Sequence, residues 1–166
     1  MSQSEVNITH RLDREVSSML KKSRIDKKFL SSKKDLTYSE FLSNKMLMIF
    51  FIREGIPYSF FNLIQHHAPF TDNDWAGFLE LSTKSLQRYK LSSKSFRPIQ
   101  SEKIIELAEV TNVGLDVFGD MDKFKLWLDS PNFALGNLKP IELLKDSYGK
   151  EMVLGELTRI NYGILA

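Results

Sequence analysis

Apolar residues recur every three or four positions along most of this 166-residue chain, and no regular alternation of apolar and polar positions is visible, so the pattern predicts helices throughout. Leu12, Val16 and Met19 or Leu20 share one helical face near the start. The block "YSEFLSNKMLMIFFIREGIP" holds an unbroken apolar run from Met46 to Ile52 that could also form a buried strand. Its extension back through Phe41 and Leu42, its Leu and Met content, and Gly55 followed by Pro57 favour helix, then a stop and a restart. The restarted helix runs from Pro57 to about His66 and buries Phe60, Phe61 and Ile64.

Further along, "PIQSEKIIELAEVTNVGLDVF" reads as one helix over 98–118, with Pro98 in its first turn and Ile104, Ala108, Thr111, Leu115 and Phe118 on one face. Gly119 ends it, and Asp120 caps the next helix, whose stripe is Phe124, Trp127 and Leu128. Prolines and a glycine in "PNFALGNLKP" break the pattern. Pro140 starts a short helix, and Ser147 begins the last, where Val153, Leu157 and Ile160 fall on one face and Ile164 extends the stripe past Gly163. The chain is expected to be all-α.

One stretch is more specific. In "TDNDWAGFLELSTKSLQRYK", Thr71 is an N-cap followed by acidic Asp72 and Asp74 in the first turn, where the helix dipole favours them, and Ser82 caps again shortly afterwards. Two short helices in a tight turn follow, with Trp75, Leu79, Leu81, Leu86 and Tyr89 as packing positions and small Ala76 at their contact. This is helix-turn-helix spacing, in which the second helix enters the DNA major groove. Thr83, Lys84, Gln87, Arg88 and Lys90 then point outward, and residues of these types read bases and phosphates. A helical hairpin with solvated polar residues is the other reading. Glu80 occupies the turn position where glycine is common, and a carboxylate there does not help DNA binding.

Composition narrows the class. With 42% hydrophobic residues the chain can bury a sizeable core, and zero cysteines exclude disulfides, thiolate metal sites and a cysteine nucleophile. No segment has the length of apolar run needed to span a membrane, and the first residues lack the pattern of a signal peptide, so no membrane partner and a cytoplasmic location are expected. Net charge is +2, but Lys and Arg outnumber Asp and Glu 16 to 10 through Gln100 and are outnumbered 7 to 11 from Ser101 onward. The first half could face a polyanion, or the two halves could attract each other. The basic run Lys21, Lys22, Arg24, Lys27, Lys28, Lys33, Lys34 is a solvated segment or a phosphate-binding arm.

Catalytic chemistry is scarce. His10, His66 and His67 are the only histidines, and the adjacent pair diverges on a helix end. There is no phosphate-binding loop or dinucleotide fingerprint, and Asp120, Asp122 and Asp129 read as cap, first-turn and surface charge. Neither an enzyme, a cofactor nor a metal site is expected.

From Phe118 onward, Phe118-Gly119, Trp127-Leu128, Pro131-Asn132, Ala134-Leu135-Gly136, Pro140, Leu143-Leu144, Gly149, Leu157, Arg159-Ile160 and Tyr162-Gly163 follow in an order that resembles the toxin-binding domain of the Xre/MbcA/ParS antitoxin family. The preceding stretch, from about Met46, with "GIP", "LSTKSLQRYK" and "QSEKIIELAE", is similar to that family's Xre-like helix-turn-helix domain. Three parts are expected: a polar, basic N-terminal extension over 1–37 with one marginal amphipathic helix, which the resemblance leaves unexplained, and then, as the resemblance implies, the helix-turn-helix domain over 38–118 and a small helical toxin-binding domain over 119–166. It implies the antitoxin of a type II toxin–antitoxin pair that binds and neutralises a RES-domain, NAD+-degrading toxin, forms a homodimer within a hetero-oligomer, and represses its own operon by binding operator DNA. Ser85, Leu86 and Arg88 fall on the recognition-helix motif. Asn132, Leu135, Gly136, Arg159, Tyr162 and Gly163 fall on the toxin-binding motif, and Ile164, Leu165 and Ala166 become a plug for the toxin's active site. The "SSKSFRP" insert after Leu91 departs from the family pattern, as Glu80 does. A stand-alone helix-turn-helix transcription regulator is the alternative function.

Overall fold

The computed structural model describes residues 3–25 and 35–163. Helices carry most of it: α1 (Gln3–Lys22), α2 (Tyr38–Ser43), α3 (Lys45–Glu54), α4 (Tyr58–His67), α5 (Asp72–Phe78), α6 (Thr83–Ser92), α7 (Pro98–Phe118), α8 (Met121–Leu128), α9 (Pro140–Leu143) and α10 (Ser147–Asn161), with a 3₁₀ turn at Phe133–Leu135. The described residues contain isolated β-bridges, Pro57 with Ser95 and Asn132 with Leu138, but no strand.

The apolar face foreseen near the start belongs to a docked helix. Leu12, Val16 and Met19 of α1 are buried in the same core as α2 and α4. Asp13 accepts the Tyr38 N–H at 2.7 Å, and Ser59 of α4 donates to Glu15, so polar contacts fix where α1 lies.

The apolar run around Met46–Ile52 is helical, but it is separated from Phe41 and Leu42 by a break at Asn44. Asn44 leaves the helical region at φ −98° and ψ 92°, donating its N–H to Phe41 at the end of α2 while its side chain accepts from Leu47 N–H at the start of α3. Asn competes with helix through such local bonds, which is why it sits at ends. Gly55 closes α3 at φ +94°, where an added Cβ would overlap the Phe96 carbonyl.

Trp75, Phe41, Phe60, Phe61 and Phe96 fill the first part of one continuous core, around Ile104 of α7. The 21-residue α7 runs from Pro98 to Phe118, as its pattern predicts, and ends on Gly119 at φ +64°. Ile104, Ile105, Leu107, Ala108 and Thr111 are buried along it. Phe124 of α8 packs against Gly114, where a Cβ would collide with the ring.

The C-terminal helices fold back beside the first half of α7. Lys103 donates to the Leu144 carbonyl at 3.2 Å and pairs with Glu106 at 2.7 Å; Ser147 donates to Glu106 at 2.8 Å, and Lys150 pairs with Glu109 at 2.6 Å. Successive turns of α7 thus add a polar seam to the hold on α9 and α10, whose Leu144, Val153 and Leu157 pack into the same continuous core as Ile104 and Ala108.

Candidate binding surfaces

The helix-turn-helix geometry is built by its caps. The Thr71 side chain accepts the Asp74 N–H at 3.1 Å and Asp74 accepts the Thr71 N–H at 2.8 Å, a reciprocal box that starts α5. Glu80 takes the turn at φ +52°, a left-handed conformation that suits glycine better. Ser82 then accepts the Ser85 N–H at 3.0 Å and starts α6.

Leu86 is buried and Tyr89 stacks on Phe96, ring centroids 4.3 Å apart, which fixes the roll of α6. Thr83, Lys84, Gln87, Arg88 and Lys90 are exposed, as their positions predict. Ser85 differs: it is half-buried, and its hydroxyl is engaged by Ser82 at 2.9 Å, so its main part is in the cap. The exposed residues divide. Thr83, Gln87 and Lys90 line a groove of about 330 Å³ with Tyr58, Asn62, His66 and Asp72, whereas Lys84 and Arg88 lie outside it. Gln65 donates to Asp72 at 2.8 Å on the groove wall, and burial together with the Asp72 charge raises the Tyr58 phenol pKa.

In the C-terminal part, Asn132 is the organiser of a turn. Its side chain accepts the Ala134 N–H at 2.8 Å, its N–H donates to Leu138 O at 3.0 Å, and its carbonyl accepts from Asn137 at 2.9 Å. Gly136 at φ +70° completes the reversal. Leu135 was expected on the binding surface; it is only 3% exposed and packs in the core, because the 3₁₀ turn rolls it inward. The same roll leaves Phe133 82% exposed.

Asp146 caps α10 by accepting the Gly149 N–H at 2.8 Å, and Gly149 itself lies against the Leu143 carbonyl, where a Cβ would overlap it. Val153 and Leu157 are fully buried and Ile160 is half-buried, the stripe the sequence predicts. The opposite face carries Tyr148, Met152, Gly155, Arg159 and Tyr162 at alternating spacings of four and three, which align on one side of a helix. Tyr148 is 84% and Tyr162 75% exposed. Arg159 is half-buried and donates to Glu156 at 3.2 Å. Gly163, at φ +70°, turns the chain out of the helix. Ile164, Leu165 and Ala166 lie outside the described residues, as do Lys27, Lys28, Lys33 and Lys34 of the basic run.

Phe133 in the turn and Tyr148 and Met152 on α10 are exposed candidates that the sequence reading missed. Their signal was present in the sequence: large apolar side chains placed off the stripe that a core needs. Among the described residues there is no group of three metal-ligating side chains, and no helix is long and apolar enough to cross a membrane.

Comparison with known proteins matches both parts of the chain to family models. Residues 114–163 match the antitoxin Xre/MbcA/ParS C-terminal toxin-binding domain, and residues 48–109 match the antitoxin Xre-like helix-turn-helix domain. A curated relative, antitoxin Xre of Yersinia enterocolitica serotype O:8 / biotype 1B, is 29% identical over 87 residues, 52% of this chain and 59% of that protein. The fold is similar to a chain in the crystal structure of the M. tuberculosis MbcT–MbcA toxin–antitoxin complex, with a TM-score of 0.54, 22% identity, and coverage of 64% of this chain and 94% of that one. With the two domain matches in tandem and the helix-turn-helix and C-terminal helices arranged as described, the chain belongs to the Xre/MbcA/ParS antitoxin family.

Proposed function

We propose that this protein is the antitoxin of a type II pair and that it neutralises a RES-domain toxin by covering it, without catalysis of its own. The exposed face of α10 carries the reading: Tyr148, Met152 and Tyr162 are apolar or aromatic, accessible, and unused by the core, within the segment that matches the family's toxin-binding domain. Large aromatic side chains of this kind anchor protein interfaces. The face leads through Gly163 to Ile164, Leu165 and Ala166, which on this reading enter the toxin's NAD+ pocket.

The test is co-expression with the neighbouring gene in a bacterial host. That gene alone should arrest growth and lower cellular NAD+, and this chain should restore both. A harmless neighbour, or one that stays toxic in the presence of this chain, overturns the reading. Deleting Ile164–Ala166 should leave the helical circular-dichroism signal intact and abolish rescue; full rescue by the shortened chain would discard the plug while leaving the interface.

A second activity, repression of its own operon as a homodimer, is favoured by the exposed Lys84, Arg88 and Lys90 on α6. Cations on a recognition helix bind phosphates and guanine. The competing acidic groups are Asp72 and Glu80. A gel shift on the promoter region tests it, with sedimentation reporting the dimer; no shift at low salt removes the operator role.

A further inference from the structure

The glycines of the C-terminal helices divide into those the fold needs and one it does not. Gly114 makes room for the Phe124 ring, Gly149 for the Leu143 carbonyl, and Gly119 and Gly163 take left-handed conformations. Gly155 has none of these reasons. It lies in the interior of the 15-residue α10, its φ is not positive, it is exposed, and a Cβ built on it meets nothing within 4 Å. Glycine in a helix interior is destabilising relative to alanine, so the folded chain alone would be better with a side chain there.

Gly155 is also the midpoint of the exposed row, with Tyr148 and Met152 on one side and Arg159 and Tyr162 on the other. A missing side chain between large ones makes a saddle in which another backbone can reach the helix surface. Arg159 uses one guanidinium nitrogen on Glu156, which leaves further donors at the saddle's edge.

We infer that Gly155 is a close-approach site, at which a main-chain segment of the toxin crosses α10, flanked by Met152 and Tyr162, with its carbonyls facing Arg159. This rests on the toxin-binding reading above and gives that interface a centre on the helix, separate from the tail. The occupant is the toxin rather than a second copy of this chain, because the row lies in the segment matching the toxin-binding domain.

The test separates folding from binding at one position. Gly155→Ala should raise the thermal midpoint of the free chain by about 2–4 °C, the gain expected from removing a helix-interior glycine at this size. The same change should weaken binding to the co-purified neighbouring gene product by about tenfold, and Gly155→Leu should abolish capture, since added bulk builds a clash against the partner. Gly77→Ala, an exposed α5 glycine with equally open surroundings, should leave capture unchanged. Wild-type affinity in both Gly155 variants overturns the inference, as does a Gly155→Ala chain less stable than the parent. Failure of the wild-type chain to capture the neighbour overturns the antitoxin reading itself.

Discussion

A buried hydroxyl without a partner costs stability, and Tyr38 carries one. It is 3% exposed, its ring meets Phe60 and His67 edge-on, and its oxygen finds no hydrogen bond among the described residues; burial pushes its phenol pKa up. Tyr38→Phe should therefore be neutral or stabilising by up to about 1 kcal/mol, read by urea denaturation, because the orphan is removed and the ring kept. Glu80 gives a second residue-level prediction. Glu80→Gly should stabilise by about 1 kcal/mol in the same assay, since glycine adopts φ +52° without the clash of a Cβ, and it removes a carboxylate from the proposed DNA face. That Glu80 sits at the turn was legible from the spacing of the Thr71 and Ser82 caps. That Leu135 turns inward and Phe133 outward was not, because in a three-residue 3₁₀ turn neither the helical nor the strand period assigns a face.

At the scale of the element, caps decided most of what could be read. Gly55, Thr71, Ser82, Pro98, Gly119, Asp120 and Pro140 start or stop helices where their chemistry says they should. The break at Asn44 escaped because the apolar pattern continues through it, and a single Asn serving both neighbouring helices leaves no gap in the periodicity. The face of α6 was legible from Leu86 and Tyr89, whereas its division by the groove depends on α4, which is remote in sequence. If Arg88 reads a base, Arg88→Ala should cost operator affinity about 1–3 kcal/mol at constant salt, measured by fluorescence anisotropy, while Lys84→Ala should mainly flatten the salt dependence. Gln87→Ala should matter less than either, since Gln87 faces the groove.

At the scale of the molecule, the seam along α7 makes its parts interdependent. Lys150 and Glu109 are largely buried, and Lys103 both pairs with Glu106 and holds the Leu144 carbonyl. Glu109→Ala leaves the Lys150 ammonium half-desolvated and should destabilise by roughly 1–3 kcal/mol. Calorimetry of the whole chain should show one transition, because unfolding α10 strips a face of the helix on which Ile104 and Ala108 build the first part of the core; two well-separated transitions would contradict the seam. None of these cross-contacts was visible in the sequence, whose charged residues on α7 look like any solvated helix face. The opposite charge bias of the two halves is no trace of the seam either, since Lys103, Glu106, Glu109 and Lys150 all lie in the acidic half from Ser101 onward.

α7 therefore bears on how such proteins can exchange specificity. The two domain matches meet within it, between residues 109 and 114, yet α9 and α10 grip it at Lys103, Glu106 and Glu109, upstream of that meeting point. A crossover placed at the apparent boundary would pair one parent's α10 with the other parent's grip and should give chimaeras that misassemble. Recombination that transplants a toxin preference with its fold intact has to enter before Pro98 and carry the entire helix, so inherited partner choice and part of the core travel as one block.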